Sequence, residues 1–259
     1  MKSGFEVLGD LVPESIALFV DFDGTLVTIA ARPDGVSIDA GILRNLNKLA
    51  ARLDGAFAII TGREISDVDR YLAPHVFAAS GVHGFEYRLP GTALTRLPAN
   101  AALLDEAVRA LDQFVAQHDG LLLERKSSAV ALHYRGRPEL ESACRAEVEK
   151  LKDAHNALNI THGKMVIEVK SHDASKGVAI ATFLAAPPFA GRRPVFIGDD
   201  VTDEAAFAAV NDRDGISIKV GAGDTQAHFR LENAAAVGDW LERLSDRFDR
   251  EHSEGELAT

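Results

Sequence analysis

The chain has little cysteine, fewer basic than acidic residues and no long apolar run. Its single cysteine, Cys144, allows no intrachain disulfide, so a small disulfide-stapled scaffold is excluded. There are 28 Lys and Arg against 39 Asp and Glu, and the net charge of −11 argues against a broad surface for nucleic acid or anionic membrane. A length of 259 residues allows one large domain or two modest ones.

The setting of Cys144 and the composition of the N-terminal segment both favour a cytoplasmic location. Cys144 lies in the charged segment ESACRAEVEK without a nearby histidine, so we expect a structural thiol rather than a reactive one. The first 24 residues carry acidic side chains before their apolar stretch and lack the basic segment and cleavage site of a secretory signal. We therefore expect a cytoplasmic protein with no membrane partner and no nucleic-acid partner.

Short apolar runs that end in Gly or Asp recur in the outer thirds of the chain. They occupy residues 16–24, 57–63, 76–84, 194–200 and 216–221. Because these runs are continuously apolar rather than alternating, they predict strands covered on both faces, as in a parallel sheet. Helical patterns alternate with them at residues 39–53, 64–72, 202–210 and 234–248. The outer thirds therefore predict an α/β doubly wound domain.

The middle of the chain has another order of elements. It predicts a helix at 100–117, a hairpin within 121–135 whose turn is 126–128, a helix at 138–155 and one strand within 159–170. This order indicates an α+β insertion, which we place at 99–172, between core segments 1–98 and 173–259. The last residues, SEGELAT, are expected to fray.

Two acidic clusters follow predicted strands. Asp21 and Asp23 lie two positions apart, which places both side chains on one side of an extended chain, and residues 198–203, GDDVTD, end a second strand. Ligands of open α/β sheets bind beyond the carboxyl ends of the strands, so the two clusters can converge there. Converging carboxylates need a compensating cation, and hard oxygen ligands suit Mg²⁺. The alternative is an acidic turn and an ordinary helix start with capping residues.

These segments resemble the haloacid-dehalogenase-like phosphohydrolases. DFDGTL matches the first motif of that superfamily, Thr61 in IITGR the second, Lys176 in SKG the third and GDDVTDE the fourth. The resemblance implies a Rossmann-like parallel-sheet core with an inserted α+β cap of the C2B type. It also implies that Asp21 attacks phosphorus, while Asp23 protonates the departing oxygen and then activates water. Thr61 and Lys176 are then the groups that bind phosphate oxygens.

The same resemblance supplies the expected magnesium ligands. It implies that Asp21, the backbone carbonyl of Asp23 and Asp199 hold Mg²⁺. Asp200 is a further candidate ligand, whereas Asp203, one turn into its helix, is expected to support or cap the loop rather than bind the ion. An aspartate is a competent phosphoryl acceptor, so the residue types fit this chemistry independently of the resemblance.

Three further segments, together with TGR at 61–63 and TDEAAF at 202–207, resemble the trehalose-6-phosphate phosphatases. They are GVHGFE at 81–86, ERK at 124–126 with HYR at 133–135, and GK at 163–164 with Glu168. The resemblance runs from about Leu18 to Val220. The candidate substrate-binding residues are Gly62, Arg63, Glu124, Lys126, Arg135, Lys164 and Glu168.

A disaccharide presents many hydroxyl groups, so a selective site needs charged donors and acceptors in pairs. Glu124 and Lys126 share an alternation face, and Lys164 and Glu168 are spaced along one predicted strand. The resemblance implies that these four residues bind the distal glucose. The alternative for each pair is a solvated cross-strand ion pair. For His83 a loop-orienting role at the cleft and a structural role both stay open.

The sequence thus predicts a Mg²⁺-dependent phosphatase that converts trehalose 6-phosphate to trehalose and phosphate. One alternative is a related phosphatase acting on sucrose phosphate or another phosphosugar. A second alternative is a catalytically silent sugar-phosphate sensor, although the intact Asp21, Asp23, Lys176 and Asp199 argue against it. A functional pairing with a trehalose-6-phosphate synthase is a further expectation.

Overall fold

A computed structural model describes residues 1–28, 38–97, 101–125, 129–155, 158–163, 165–170 and 174–257. Over these residues it has thirteen strands and seven α-helices. In chain order they are β1 (Lys2–Ser3), β2 (Ile16–Val20), α1 (Ala40–Arg52), β3 (Phe57–Ile60), α2 (Ile65–Leu72), β4 (Ala78–Gly81), β5 (Glu86–Arg88), β6 (Thr95–Arg96), α3 (Ala101–Val115), β7 (Leu122–Arg125), β8 (Ala129–His133), α4 (Glu141–Ala154), β9 (Asn159–Gly163), β10 (Val166–Lys170), α5 (Lys176–Leu184), β11 (Arg193–Gly198), α6 (Glu204–Asn211), β12 (Ile216–Val220), β13 (Phe229–Leu231) and α7 (Ala234–Leu257).

The chain divides into two compact units. A core unit comprises Met1–Arg96 and Ala174–Thr259, and an insert unit comprises Leu97–Asp173. Among the described residues, no helix combines the length and the apolar character needed to span a membrane.

The core unit is built on a nine-stranded sheet in the order β1-β13-β12-β11-β2-β3-β4-β5-β6. The pairs from β1 to β4 are parallel, and β5 and β6 extend the sheet in antiparallel pairs. Every residue of the central strand β2 is buried, as a sheet covered on both faces requires. The predicted fold class, an α/β core with a mainly parallel sheet, is confirmed.

Polar caps define where the helices near the sheet begin. The carboxylate of Asp39 accepts a hydrogen bond from the Gly41 amide at 2.6 Å at the start of α1, and the Ser175 hydroxyl accepts one from the Val178 amide at 3.1 Å at the start of α5. The Ser175 cap places Lys176 at the first position of α5. The side chain of Trp240 in α7 is buried, and its indole donates to the carbonyl of Gly4 at 2.9 Å.

The insert unit contains a four-stranded antiparallel sheet in the order β7-β8-β10-β9. Alternate residues of β8 and β10 pack against side chains of α3 and α4 to form the apolar core of this unit. The strand residues in this core are Val130, Leu132, Ile167 and Val169. Cys144 of α4 is buried in the same core, where burial raises the pKa of its thiol. The opposite face of the sheet carries the intervening residues of each strand.

Two sequence expectations are wrong. The single strand expected within 159–170 is the pair β9 and β10, joined through a turn in which Met165 has a positive φ of 63°. The C-terminal segment expected to fray from Ser253 continues α7 to Leu257. Just before this segment, Glu251 pairs with Arg247 at 3.1 Å one turn earlier in the helix.

Candidate active site

The two acidic clusters meet at the carboxyl edge of the core sheet. β2 and β11 are parallel neighbours, so Asp21 and Asp199, which follow them, lie at the same edge. The amide of Asp21 donates to the carbonyl of Ile197 at 2.9 Å and extends the pairing to the site. Within the described parts of the chain, Asp21, Asp199 and Asp203 form a group whose carboxylate oxygens lie within 4.8 Å of one another.

A glycine makes this approach possible. Gly24 has a φ of +75°, which an L side chain rarely adopts, and a Cβ added there would overlap the carboxylate of Asp199. The hydroxyl of neighbouring Thr25 lies 3.4 Å from the same carboxylate as a donor. The turn after β2 is therefore shaped to receive Asp199.

Lys176 supplies a buried positive charge to this cluster. Its Nζ lies 2.7 Å from Oδ1 of Asp21 and 2.6 Å from Oδ1 of Asp203. All three side chains are at most 5% exposed. Burial alone lowers the pKa of Lys176, but Asp21 and Asp203 outweigh it and raise that pKa, so the ammonium form is favoured.

For the carboxylates of Asp21 and Asp199, burial outweighs the attraction of Lys176 and favours the neutral form. Burial raises the pKa of Asp21 well above its usual value, although Lys176 acts in the lowering direction. Burial and the nearby Asp203 likewise raise the pKa of Asp199. One lysine thus compensates only part of the negative charge of three converging carboxylates, so an additional cation is favourable here.

The carboxylate of Asp203 stabilises the loop after β11. Its Oδ2 accepts hydrogen bonds from the amides of Asp199 at 3.0 Å and Asp200 at 2.9 Å, while Oδ1 accepts from Lys176. The Asp200 side chain in turn accepts from the amide of Asp203, which completes a capping box. Asp199 and Asp21 are therefore the better candidates for binding a cation directly, and they fit the oxygen-only donor set of Mg²⁺.

Asp23 has a different partner from Asp21. Its carboxylate receives two hydrogen bonds from Arg63, each of 2.6 Å, from Nε to Oδ2 and from Nη2 to Oδ1. The hydrogen bond to Asp23 raises the pKa of Arg63. The structure therefore brings Arg63 to the candidate acid and base rather than to the Asp21 cluster.

A cavity of about 280 Å³ lies beside these groups. It is lined by Asp21, Asp23, Gly62, His83, Lys176, Asp199, Asp200 and Thr202. Thr61 is fully buried, and its hydroxyl accepts from the Arg63 amide at 3.1 Å. Most of the candidate catalytic and metal-binding residues therefore border one cavity of the core unit.

His83 lies on a strained turn at this cavity. Val82 and His83 have positive φ values of 49° and 54°, a region in which a β-branched residue such as valine is rare. The amides of Val82 and His83 donate to the carbonyls of Arg63 and Thr61 at 2.9 and 3.0 Å. A Cβ added to Gly62 would lie 2.6 Å from the His83 ring, so the two residues are in close contact. Strain of this kind is common at functional sites.

In the insert unit, Glu124 and Glu168 lie on the face opposite the helices. Both pair in register with Ala131 of β8, one from each side. Nε2 of His133 lies 2.8 Å from Oε2 of Glu124, and Nζ of Lys170 lies 3.3 Å from Oε2 of Glu168. Ala131, which lies between the two carboxylates in the register, is itself fully buried.

Three expected sugar contacts need separate mention. Lys126 and Lys164 lie outside the described residues. Arg135 is exposed in the turn after β8.

The structure adds two residues that sequence reasoning missed. Lys219 of β12 is buried, and its Nζ donates to the backbone carbonyl of Asp199. A lysine at a position that a buried strand fills with apolar residues was the available signal. Tyr71 of α2 lies against Arg63, and no local pattern in the sequence indicates that contact.

Acidic residues after adjacent parallel strands, with a buried lysine between two of them, define a phosphohydrolase of the haloacid-dehalogenase class. The fold agrees with that of a phosphatase of the haloalkanoate (HAD) enzyme superfamily from Bacteroides thetaiotaomicron, with a TM-score of 0.66, 16% identity and coverage of 90% of this chain and 98% of that chain.

The family model for trehalose-phosphatase matches residues 19–235, and the chain belongs to that family. A trehalose-6-phosphate phosphatase from Escherichia coli (strain K12) is 42% identical over 231 residues, which are 88% of this chain and 86% of that protein. A trehalose-6-phosphate phosphatase structure from Aspergillus fumigatus is 25% identical, covers 94% of this chain and 96% of that chain, and has a TM-score of 0.74. The predicted class of enzyme, a phosphomonoester hydrolase, is confirmed.

Proposed function

We propose that this chain hydrolyses trehalose 6-phosphate to trehalose and phosphate, with Asp21 as the attacking carboxylate and Mg²⁺ as the cofactor. The observation that carries the proposal is the buried pair of Asp21 and Lys176, 2.7 Å apart beside Asp199. Family membership supports the choice of ester, because the E. coli relative is a trehalose-6-phosphate phosphatase.

The reaction proceeds in two steps. In the first, a carboxylate oxygen of Asp21 forms a bond to phosphorus, and the sugar oxygen leaves with its electron pair and takes a proton from Asp23. In the second, a water oxygen bonds to phosphorus while Asp23 accepts a proton from that water. The bond from phosphorus to Asp21 then breaks, which releases phosphate and restores the carboxylate.

Charge compensation is the main task of the surrounding groups. Lys176 holds Oδ1 of Asp21, so we assign the attack to Oδ2 of that carboxylate. Asp21, Asp199 and the backbone carbonyl of Asp23 are the groups we assign to Mg²⁺, with Asp200 as a further candidate. When bound, Mg²⁺ supplies positive charge to the phosphoryl oxygens. Thr61 and the backbone at Gly62 are the groups we assign to phosphate oxygens, together with Lys176.

The insert unit is the part of the chain that we assign to sugar selection, as a cap. Glu124 and Glu168 share one face of its sheet and flank Ala131. Carboxylates accept strong hydrogen bonds from hydroxyl groups, which are what a sugar presents. His133 and Lys170, the observed partners of the two carboxylates, hold them in place. Lys126, Arg135 and Lys164 stay predicted sugar contacts.

The central experiment is phosphate release from a panel of sugar phosphates with and without Mg²⁺. We expect Mg²⁺-dependent turnover of trehalose 6-phosphate well above that of glucose 6-phosphate and sucrose phosphate, and none from Asp21→Asn. Equal turnover of glucose 6-phosphate and trehalose 6-phosphate would contradict the substrate assignment. Absence of any Mg²⁺-dependent turnover in the wild type would favour a silent sensor.

A second experiment tests the cap. Glu124→Ala is expected to reduce kcat/KM for trehalose 6-phosphate by about tenfold or more, since a charged hydrogen bond contributes roughly 1.5–3 kcal/mol. Hydrolysis of p-nitrophenyl phosphate, which has no sugar, should change little. Glu106→Ala is the matched control, because Glu106 pairs with His155 at 3.2 Å with the same side-chain exposures, 33% and 49%, as the His133 and Glu124 pair. Parallel losses on both substrates would show that Glu124 is structural.

A cytoplasmic location and a functional pairing with a trehalose-6-phosphate synthase belong to the same proposal. Co-purification of the chain with a synthase from cells that produce both at native levels tests the pairing, and failure to co-purify at any salt concentration argues against it.

A further inference from the structure

The ion pair of Asp23 and Arg63 is a feature that the two-step reaction does not by itself require. Nε and Nη2 of the guanidinium each donate to one oxygen of the carboxylate, both at 2.6 Å. Such a paired contact restricts both the position and the tilt of the carboxylate plane. Asp23 therefore already occupies Nε and Nη2, the two donors of Arg63 that are best placed for a paired contact with a phosphate.

Two aromatic rings hold the guanidinium from its other sides. Its central carbon lies 5.5 Å from the ring centre of Phe22 and 5.3 Å from that of Tyr71, and the two rings are 5.8 Å apart. Tyr71 also contributes to the raised pKa of Arg63, in part through a side-chain hydrogen bond. Cation–π contact and hydrogen bonding therefore restrain a side chain that is otherwise long and flexible.

The backbone that carries Arg63 and Tyr71 is anchored as well. The carbonyl of Arg63 accepts from the amide of Val82 at 2.9 Å, and the buried carboxylate of Glu86 accepts from the amide of Ile65, the first residue of α2, at 2.7 Å. Tyr71 lies on that same helix. The restraint on the guanidinium therefore rests on a fixed part of the core unit.

We infer that Tyr71 and Phe22 hold Arg63 so that Arg63 positions the carboxylate of Asp23 to accept the proton of the attacking water. Arg63 is then a positioning residue and not a phosphate ligand. This inference rests on the proposed function. Among the described residues that line the cavity, Asp23 is present and Arg63 is not, so Arg63 supports Asp23 from behind. The carboxylate still has lone pairs for water, because each oxygen can accept more than one hydrogen bond.

The second step is where the pair matters most. There, water forms its bond to phosphorus, Asp23 takes the proton, and the phosphorus–oxygen bond to Asp21 breaks. The two hydrogen bonds from Arg63 fix the position and tilt of the carboxylate that this step uses. Transfer of phosphate from p-nitrophenyl phosphate to Asp21 needs no proton from Asp23, because nitrophenolate leaves unprotonated. Disturbing Arg63 should therefore slow dephosphorylation of Asp21 and spare its phosphorylation by this ester.

The chain offers a matched control for breaking such a pair. Arg88 and Asp69 form a similar two-bond contact, in which Nη1 and Nη2 of Arg88 each donate to one carboxylate oxygen at 2.7 Å. The exposures of these two side chains, 15% and 32%, are close to the 14% and 37% of Arg63 and Asp23. Neither Arg88 nor Asp69 lines the cavity among the described residues. Arg88→Lys therefore imposes a similar loss of stability at a place without a proposed role.

The experiment is rapid mixing of wild type, Arg63→Lys, Tyr71→Phe and Arg88→Lys with labelled p-nitrophenyl phosphate and Mg²⁺, followed by acid quenching. It measures the rate of nitrophenolate release in the first turnover, the fraction of covalent phosphoenzyme at steady state and the rate of its decay. Arg63→Lys is expected to slow decay by about 10–100-fold, part of the range for a general base, and to raise the phosphoenzyme fraction. First-turnover release should change less than about threefold.

Tyr71→Phe keeps the ring and removes the hydroxyl group, so its decay rate should lie between those of Arg63→Lys and wild type. Arg88→Lys should match wild type in all three measurements. If Arg63→Lys slows first-turnover release as much as decay, or lowers the phosphoenzyme fraction, then Arg63 binds phosphate and the inference is wrong. If the phosphoenzyme of Tyr71→Phe decays as fast as that of wild type, then the Tyr71 hydroxyl does not help to hold Arg63 and that part of the inference is wrong.

Failure of the proposed function has a separate signature. Wild type that forms no acid-stable phosphoenzyme with either p-nitrophenyl phosphate or trehalose 6-phosphate would contradict Asp21 as nucleophile, as would a phosphoenzyme that Asp21→Asn still forms. Thermal unfolding of each variant shows that it is folded.

Discussion

Replacement of Asp203 by asparagine tests the buried charge network most directly. Asp203 is fully buried and accepts three hydrogen bonds, from Lys176 at 2.6 Å and from the amides of Asp199 and Asp200 at 3.0 and 2.9 Å. An asparagine side chain presents an oxygen to only one side. Its NH₂ group then faces either Lys176 or the two amides, so a donor opposes a donor in both orientations.

The expected loss of stability follows from this geometry. Removing one partner of a buried ion pair costs about 3–5 kcal/mol, because the remaining charge stays buried without compensation. Lys176 keeps Asp21 as a partner, which places Asp203→Asn toward the lower end of that range. For domains of 150–250 residues a loss of this size lowers Tm by roughly 10 °C.

Fluorescence of Trp240 is the suitable assay. It is the sole tryptophan of the chain and is buried in the core unit, so its signal reports unfolding of that unit even if the insert unit unfolds separately. Asp212→Asn, at an exposed position after α6, is the control and should shift stability by less than about 0.5 kcal/mol. A Tm of Asp203→Asn within about 2 °C of wild type would refute the reasoning.

Two further predictions concern the metal site and the long helices. Gly24→Ala places a methyl group against the Asp199 carboxylate, so calorimetric Mg²⁺ affinity should fall by at least about tenfold, and unchanged affinity would count against Asp199 as a ligand. Burial raises the pKa of Asp249, but Arg52 and Lys48 outweigh it and lower that pKa. Asp249→Asn should therefore cost roughly 0.5–1 kcal/mol at neutral pH, and chemical denaturation should show the difference vanishing as pH falls through the lowered pKa, below 3.8.

The core fold could be predicted because its signals are local. Continuous apolar runs marked the strands that became β2, β3, β11 and β12, and parallel strands necessarily bring their carboxyl ends to one edge. That geometry alone places Asp21 near Asp199. The motif resemblance then identified the family, which the match over residues 19–235 confirms.

The β9–β10 hairpin could not be predicted because its turn carries a misleading signal. The turn uses Met165 at a φ of 63° instead of the Asn-Gly or Gly-Gly pair that usually marks a tight hairpin. Gly163 precedes it but belongs to β9. The apolar alternation also continues on both sides of the turn, so a single strand was the simpler interpretation.

The partners of the charged residues could not be predicted for a more general reason. A short motif determines which chemical group is available, whereas its partner depends on strand register and on helices far away in the sequence. Glu124 pairs with His133, nine residues later in the chain, because β7 and β8 are in register. Arg63 likewise contacts Asp23, 40 residues earlier in the chain. From the sequence alone, a guanidinium that follows a predicted phosphate-binding turn favours a phosphate contact, whereas its observed partner is the carboxylate of Asp23.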